Sequence, residues 1–127
     1  MDKTSSSPVN TDVALLLIRV ALGFVFLAHG AAKFADPDTA VSVFASIHLS
    51  AFWAYFTAAV EVLGALAMLL GIGVEWAGLV LAILVLGSIS LVGGYDLDIM
   101  LFLTAIAVSF AGPGRYTLRF AFKKAAP

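Results

Sequence analysis

Four apolar runs, at about 13–34, 52–72, 76–92 and 97–111, leave few folds open to this chain. A run of roughly 18 or more apolar residues is long enough to cross a ~30 Å hydrocarbon layer as a helix. Inside that layer only helices and closed barrels satisfy their own backbone polar groups. Composition points the same way. Of 127 residues, 62% are hydrophobic and 12% charged, with a mean hydropathy of +1.08. Soluble domains carry about 25% charged residues, and a chain this small has too little interior to hide so much apolar surface from water. The expected fold is therefore all-α: an integral membrane four-helix bundle forming one domain over 1–127. A polar arm (1–12) leads in and a basic tail (115–127) leads out. The fourth run is short for a bilayer, with Tyr95 and Tyr116 available as interfacial anchors and Trp53 and Trp76 serving the other spans.

The leader "MDKTSSSPVNTD" lacks a basic start, and Arg19 interrupts the apolar run behind it, so the first run reads as a retained helix rather than a cleaved signal. The charges suggest an orientation. Arg115, Arg119, Lys123 and Lys124 follow the last span, which the positive-inside rule places in the cytoplasm of a prokaryote. An even number of spans returns the N-terminus, with Lys3, to the same side. Lys33, Asp36, Asp38, Asp96 and Asp98 then fall on the outer side of the inner membrane.

The connection 35–51 carries its own helical signal. In "DPDT", Asp36 suits an N-cap and Pro37 the first helical position, with a further acid in the first turn. Ala40, Val43, Phe44 and Ile47 then recur at helical spacing, predicting a short amphipathic helix on the outer membrane surface between spans 1 and 2. The remaining turns, "GIGVE", "GGYDLD" and "GPGR", are tight and glycine-rich.

Among the charged residues, Arg19 and Glu61 lie well inside spans. A central arginine costs at least ~2.5 kcal/mol on insertion scales, so each needs a partner or a wet cavity. Depth counting places Arg19 ~10 Å from one surface and Glu61 ~5 Å deeper, within reach of an arginine side chain. The pair is expected to interact. Arg19, Gly23, Phe26, Gly30 and Lys33 share one stripe of the first span, and Thr57, Glu61, Ala65 and Met68 share a face of the second. Two readings stay open: a buried ion pair that fixes helix packing, or a polar pocket in which Glu61 titrates. His29 is either an interfacial histidine bonded to a backbone carbonyl or a proton-handling donor. Lys33 either snorkels to the headgroups or joins Asp96 and Asp98 in an outer polar mouth. No metal site is expected, because His48, the only other histidine, sits in the 35–51 connection and no HxxxH spacing exists. The absence of cysteine excludes disulfides, thiol catalysis and cysteine-ligated clusters or heme. A net charge of -1 and the lack of a basic patch with interleaved aromatics argue against nucleic acid.

Three segments carry a resemblance. "LLLIRVALGFVFLAHGAAKF", "AAVEVLGALAMLLGIG" and "GGYDLDIMLFLTAIAVSFAGPGRYTL" resemble, in order, the opening, second and closing segments of the DoxX family of small four-helix membrane proteins. The sequence departs from the pattern where Asp96 and Asp98 replace a glutamate, where Arg119 stands at an acidic position, and where Glu75 occupies a usually basic turn. The resemblance implies a link to redox chemistry, as in the DoxD-type subunit of thiosulfate:quinone oxidoreductase.

Three functions follow as expectations. In the first, the chain is a membrane subunit of a quinone-linked redox complex. A quinone is held by Arg19, His29 and Lys33 against Phe24, Phe26 and Phe56, with Glu61 and His29 handling protons. A partner protein supplies the electrons, since the sequence carries no recognisable electron-carrying motif. The second is a non-catalytic anchor or assembly subunit. The third is a small-solute carrier, for which so few helices would need a homo-oligomer. A pocket lined by Arg19, Glu61 and aromatics, open to lipid, favours the first; a closed pair favours the second.

Overall fold

The computed structural model describes residues 8–93 and 96–125, all-helical apart from short connections. Tyr95 and Lys3 lie outside the described residues. In order the helices are α1 (Pro8–Ala35), α2 (Pro37–Ser46), α3 (Ala51–Leu70), α4 (Val74–Leu91), α5 (Asp96–Ala111) and α6 (Leu118–Ala125). Among the described residues, three helices are long and apolar enough to cross a membrane: α1 from Thr11, α3 and α4. The 16 residues of α5 reach only ~24 Å at 1.5 Å per residue, yet α5 packs along α4 as the fourth helix of the bundle. α1 begins at Pro8, inside the expected polar arm. The expected short helix between the first two spans is α2, and its N-cap is Asp36, whose Oδ1 accepts the Thr39 N–H at 3.2 Å. The Thr39 side chain, and then its backbone N–H, hold the Asp36 carboxyl below its ordinary pKa.

The bundle is two antiparallel pairs, α1 on α3 and α4 on α5, joined along α3 and α4. Each pair closes on small residues, as expected where lipid offers no hydrophobic drive between helices and close packing must replace it. A Cβ on Gly23 would stand 3.1 Å from the Ala65 carbonyl oxygen, and one on Gly30 would stand 2.9 Å from that of Ala58. On the other pair, a Cβ on Gly78 would stand 2.7 Å from the Ala105 carbonyl oxygen and 3.2 Å from the Ser109 Cα. Leu22, Phe26, Met68, Leu81, Val85 and Val108 fill the centre. Large apolar side chains such as Phe24, Leu63, Leu103 and Phe110 point outward, an arrangement suited to lipid.

This packing sets up a contrast between two glycines of α4. Backbone cannot move aside as a flexible side chain can, so Gly78→Ala is expected to cost about 1–3 kcal/mol by pushing α5 off α4. Gly87, on the same helix, has nothing within 4 Å of an added Cβ. Gly87→Ala is expected to be neutral or to gain up to about 1 kcal/mol from helix propensity. Denaturant unfolding of the two variants in one detergent checks the contrast, and equal effects would refute it.

Candidate functional site

Arg19 and Glu61 do not pair. Arg19 is fully buried, and its guanidinium is spent on backbone carbonyls. Its Nε donates to Met68 O at 2.9 Å, and its Nη1 donates to Tyr116 O at 2.8 Å and to Pro113 O. Nη2 lies 3.5 Å from Leu69 O. Met68 and Leu69 are in the last turn of α3, whose carbonyls have no partner within the helix and form the negative end of its dipole. Gly71 ends that helix in the left-handed region at φ 73°. A Cβ there would also meet Arg19 Nη2 and Thr117 Cγ2, both at 2.8 Å. Arg19 thus ties α1, the end of α3 and the segment after α5 into one knot. Asp12 adds a second tie by accepting the Arg115 N–H at 2.9 Å.

Glu61 instead meets Lys33, with Nζ to Oε2 at 2.6 Å. The physical reason is helix register together with side-chain direction: Glu61 packs level with Gly30, which is ~16 Å along α1 from Arg19. Helical side chains lean toward their own N-terminus. Because α1 and α3 are antiparallel, Arg19 and Glu61 lean away from each other. Lys33 and Glu61 lean together. Gly30, one turn before Lys33, brings the α1 backbone against Ala58, Glu61 and Val62 and lets the pair close.

The Lys33–Glu61 pair lies on two spaces. The larger is a groove of about 490 Å³ between α2, α3 and α4. Its wall is apolar and aromatic: Val43, Phe44, Ile47, Leu49, Trp53, Phe56, Ile83, Leu84 and Leu91, among others. Trp53 and Phe56 meet edge-on at 5.8 Å between ring centroids. Thr57 also faces the groove, but its hydroxyl bonds back to Trp53 O at 2.9 Å. The smaller space, about 110 Å³, is lined by Phe26, His29, Lys33, Glu61, Ser88 and Asp98 with neighbouring apolar residues. His29 Nδ1 is 2.7 Å from Val25 O. A carbonyl only accepts, so Nδ1 carries a proton, and in the neutral ring Nε2 is the acceptor.

The predicted set is therefore divided. Lys33, His29, Glu61 and Asp98 come together. Asp96 lines neither space. Arg19 is ten residues from His29 on one helix, ~15 Å away by rise alone, so the two do not share a ligand. Phe26 is buried beside the smaller space, Phe24 points outward, and only Phe56 of the three expected phenylalanines faces the groove. Sequence reasoning misses Phe44 and Trp53 as wall residues. Phe44 is legible as part of the apolar face of α2, but that this face covers a groove rather than bare lipid is a tertiary fact. Trp53 reads from sequence only as an interface anchor. Among the described residues, no cluster of three His, Asp or Glu is placed to hold a metal.

Residues 14–94 match the DoxX family, a stretch that holds Arg19, His29, Lys33 and Glu61 and stops before α5. A protein of Bacillus subtilis (strain 168) named "Putative oxidoreductase CatD" is 32% identical over 108 residues, 80% of this chain and 81% of that one. No solved structure matches. With well over half its length covered, the chain belongs to the DoxX family of multi-pass membrane proteins.

Proposed function

We propose that this protein is a small membrane subunit of a quinone-linked redox system, and that the quinone head lies in the α2–α3–α4 groove beside Lys33. The observation that carries the reading is the groove itself: a ring-sized apolar space with an ion pair at its edge. Quinone sites need that combination of apolar walls and a few placed donors. Lys33 has three N–H donors and gives one to Glu61, which leaves two for a carbonyl oxygen. Phe44, Trp53 and Phe56 supply the flat wall and keep water out. A bound quinone would accept two electrons and two protons. Within this chain, Lys33 orients its carbonyl, and Glu61 holds the ammonium in place and is the nearest carboxylate able to carry a proton. His29, across the pair on the smaller space, is the second proton-handling candidate. Arg19 drops out of the ligand set. The relative's name supports redox chemistry in general, and the electron donor in this reading is a partner protein. The reading also keeps both termini on the cytoplasmic side, since the basic residues Arg115, Arg119, Lys123 and Lys124 lie at the end opposite Asp36, Asp38, Asp96 and Asp98.

Trp53 provides the test. In a Trp76→Phe background it is the only tryptophan. Decylubiquinone added to the protein in nanodiscs is expected to quench it saturably, and Lys33→Met is expected to weaken binding about tenfold or more, the worth of one hydrogen bond to a charged donor. A complete absence of saturable quenching, with and without co-purified partners, would replace this reading with that of an anchor subunit. The anchor reading draws on the Arg19 knot, in which an intramembrane charge serves structure alone.

A further inference from the structure

The basic tail is helical. Leu118–Ala125 forms α6, a short helix with no acidic residue and with Arg119, Lys123 and Lys124 on it. At 100° per residue, Leu118, Ala121, Phe122 and Ala125 fall within a sector of about 100°. The three basic residues fall on the remainder. Phe122 is 68% exposed, and no residue of α6 is buried. Phe120, the one aromatic off the apolar sector, is covered by the Arg115 guanidinium, 5.1 Å from its ring centroid. The bundle therefore presents α6 without covering its apolar side.

The other short helix has the opposite charge. α2 carries Asp38 with Asp36 as its cap and no lysine or arginine, and its apolar side is used, with Val43, Phe44 and Ile47 lining the groove. The two surface helices sit at opposite ends of the bundle, one acidic with its apolar side used, the other basic with its apolar side uncovered. We propose that α6 is a binding site for the headgroups of anionic phospholipids. Its basic residues meet the lipid phosphates while Leu118 and Phe122 sink into the acyl boundary. The charge of α6 selects this occupant: an anionic surface draws each basic residue by about fivefold in local partition, and the same surface repels α2. The site holds the C-terminal end of the bundle to the membrane surface whether or not the groove holds a quinone.

The chain has no cysteine, so a single introduced thiol takes a dye at one place. Phe122→Cys on α6 and Ala45→Cys on α2 are labelled with an environment-sensitive dye in the full-length protein. Each is placed in nanodiscs of phosphatidylcholine alone or with about one third phosphatidylglycerol. The α6 dye is expected to shift to the blue in the anionic discs and to return in about 1 M salt, where the Debye length falls to about 3 Å. The α2 dye is expected to be indifferent to lipid charge. Arg119→Glu with Lys123→Glu and Lys124→Glu is expected to abolish the α6 shift. An α6 dye that ignores lipid charge, a triple variant that shifts like the parent, or burial of the dye only when a co-purified protein is present would each overturn the proposal.

Discussion

Arg19→Met is expected to lower stability by about 3–5 kcal/mol, a larger loss than removal of either member of the Lys33–Glu61 pair. The side chain is fully buried and makes three good hydrogen bonds to carbonyls from two distant segments. Hydrogen bonds from a charged donor are worth about 1.5–3 kcal/mol each, and the carbonyls left behind become unsatisfied in a water-poor site. The desolvation cost of the guanidinium offsets part of the sum, which keeps the figure near that for breaking a buried charged network. Arg19→Lys is expected to recover less than half of the loss, because one compact ammonium does not reproduce a planar fork that serves both α3 and the 113–116 turn. Denaturation in detergent measures the loss. Trypsin cleavage after Arg115 offers a second readout, since the turn that Arg19 holds should open first. A double-mutant cycle between Arg19 and Glu61 is expected to be additive, because the two share no partner. A Met variant as stable as wild type would show that the knot does not form.

Breaking the Lys33–Glu61 pair is expected to cost about 2–4 kcal/mol from either side, less than the Arg19 knot because the side chains keep 23% and 14% exposure. The informative variant is the double one. Lys33→Met with Glu61→Leu leaves no unpaired charge, and replacing a buried pair by apolar residues is often close to neutral. The double variant is therefore expected to be more stable than either single, with a coupling of at least about 1 kcal/mol in the cycle. It is also expected to bind decylubiquinone no better than Lys33→Met alone. Recovered stability without recovered binding would separate the structural role of the pair from its role toward a ligand. Recovery of both would remove Lys33 from the quinone reading.

The sequence by itself determined the class of fold and most of its elements. Apolar run length and low charge force helices in lipid, and the Asp36–Pro37 start makes the short helix before the second long one legible from local chemistry alone. Gly23 and Gly30 mark the close face of α1, because an absent Cβ is visible in one dimension. The intramembrane charges are also visible, but not their partners. Counting depth along each helix puts Arg19 near Glu61. The register in which α1 and α3 pack sets Glu61 level with Gly30, ~16 Å along α1 from Arg19, and the lean of side chains toward each N-terminus then joins Lys33 to Glu61. No comparable rule reaches the Arg19 knot, whose acceptors include Pro113 and Tyr116, some ninety residues away. Backbone carbonyls leave no signature in residue identity. The groove is tertiary for the same reason: its walls come from three helices, and the sequence records that α2 has an apolar side without recording what that side covers. Only packing decided which charge became a structural clasp and which was left facing a space.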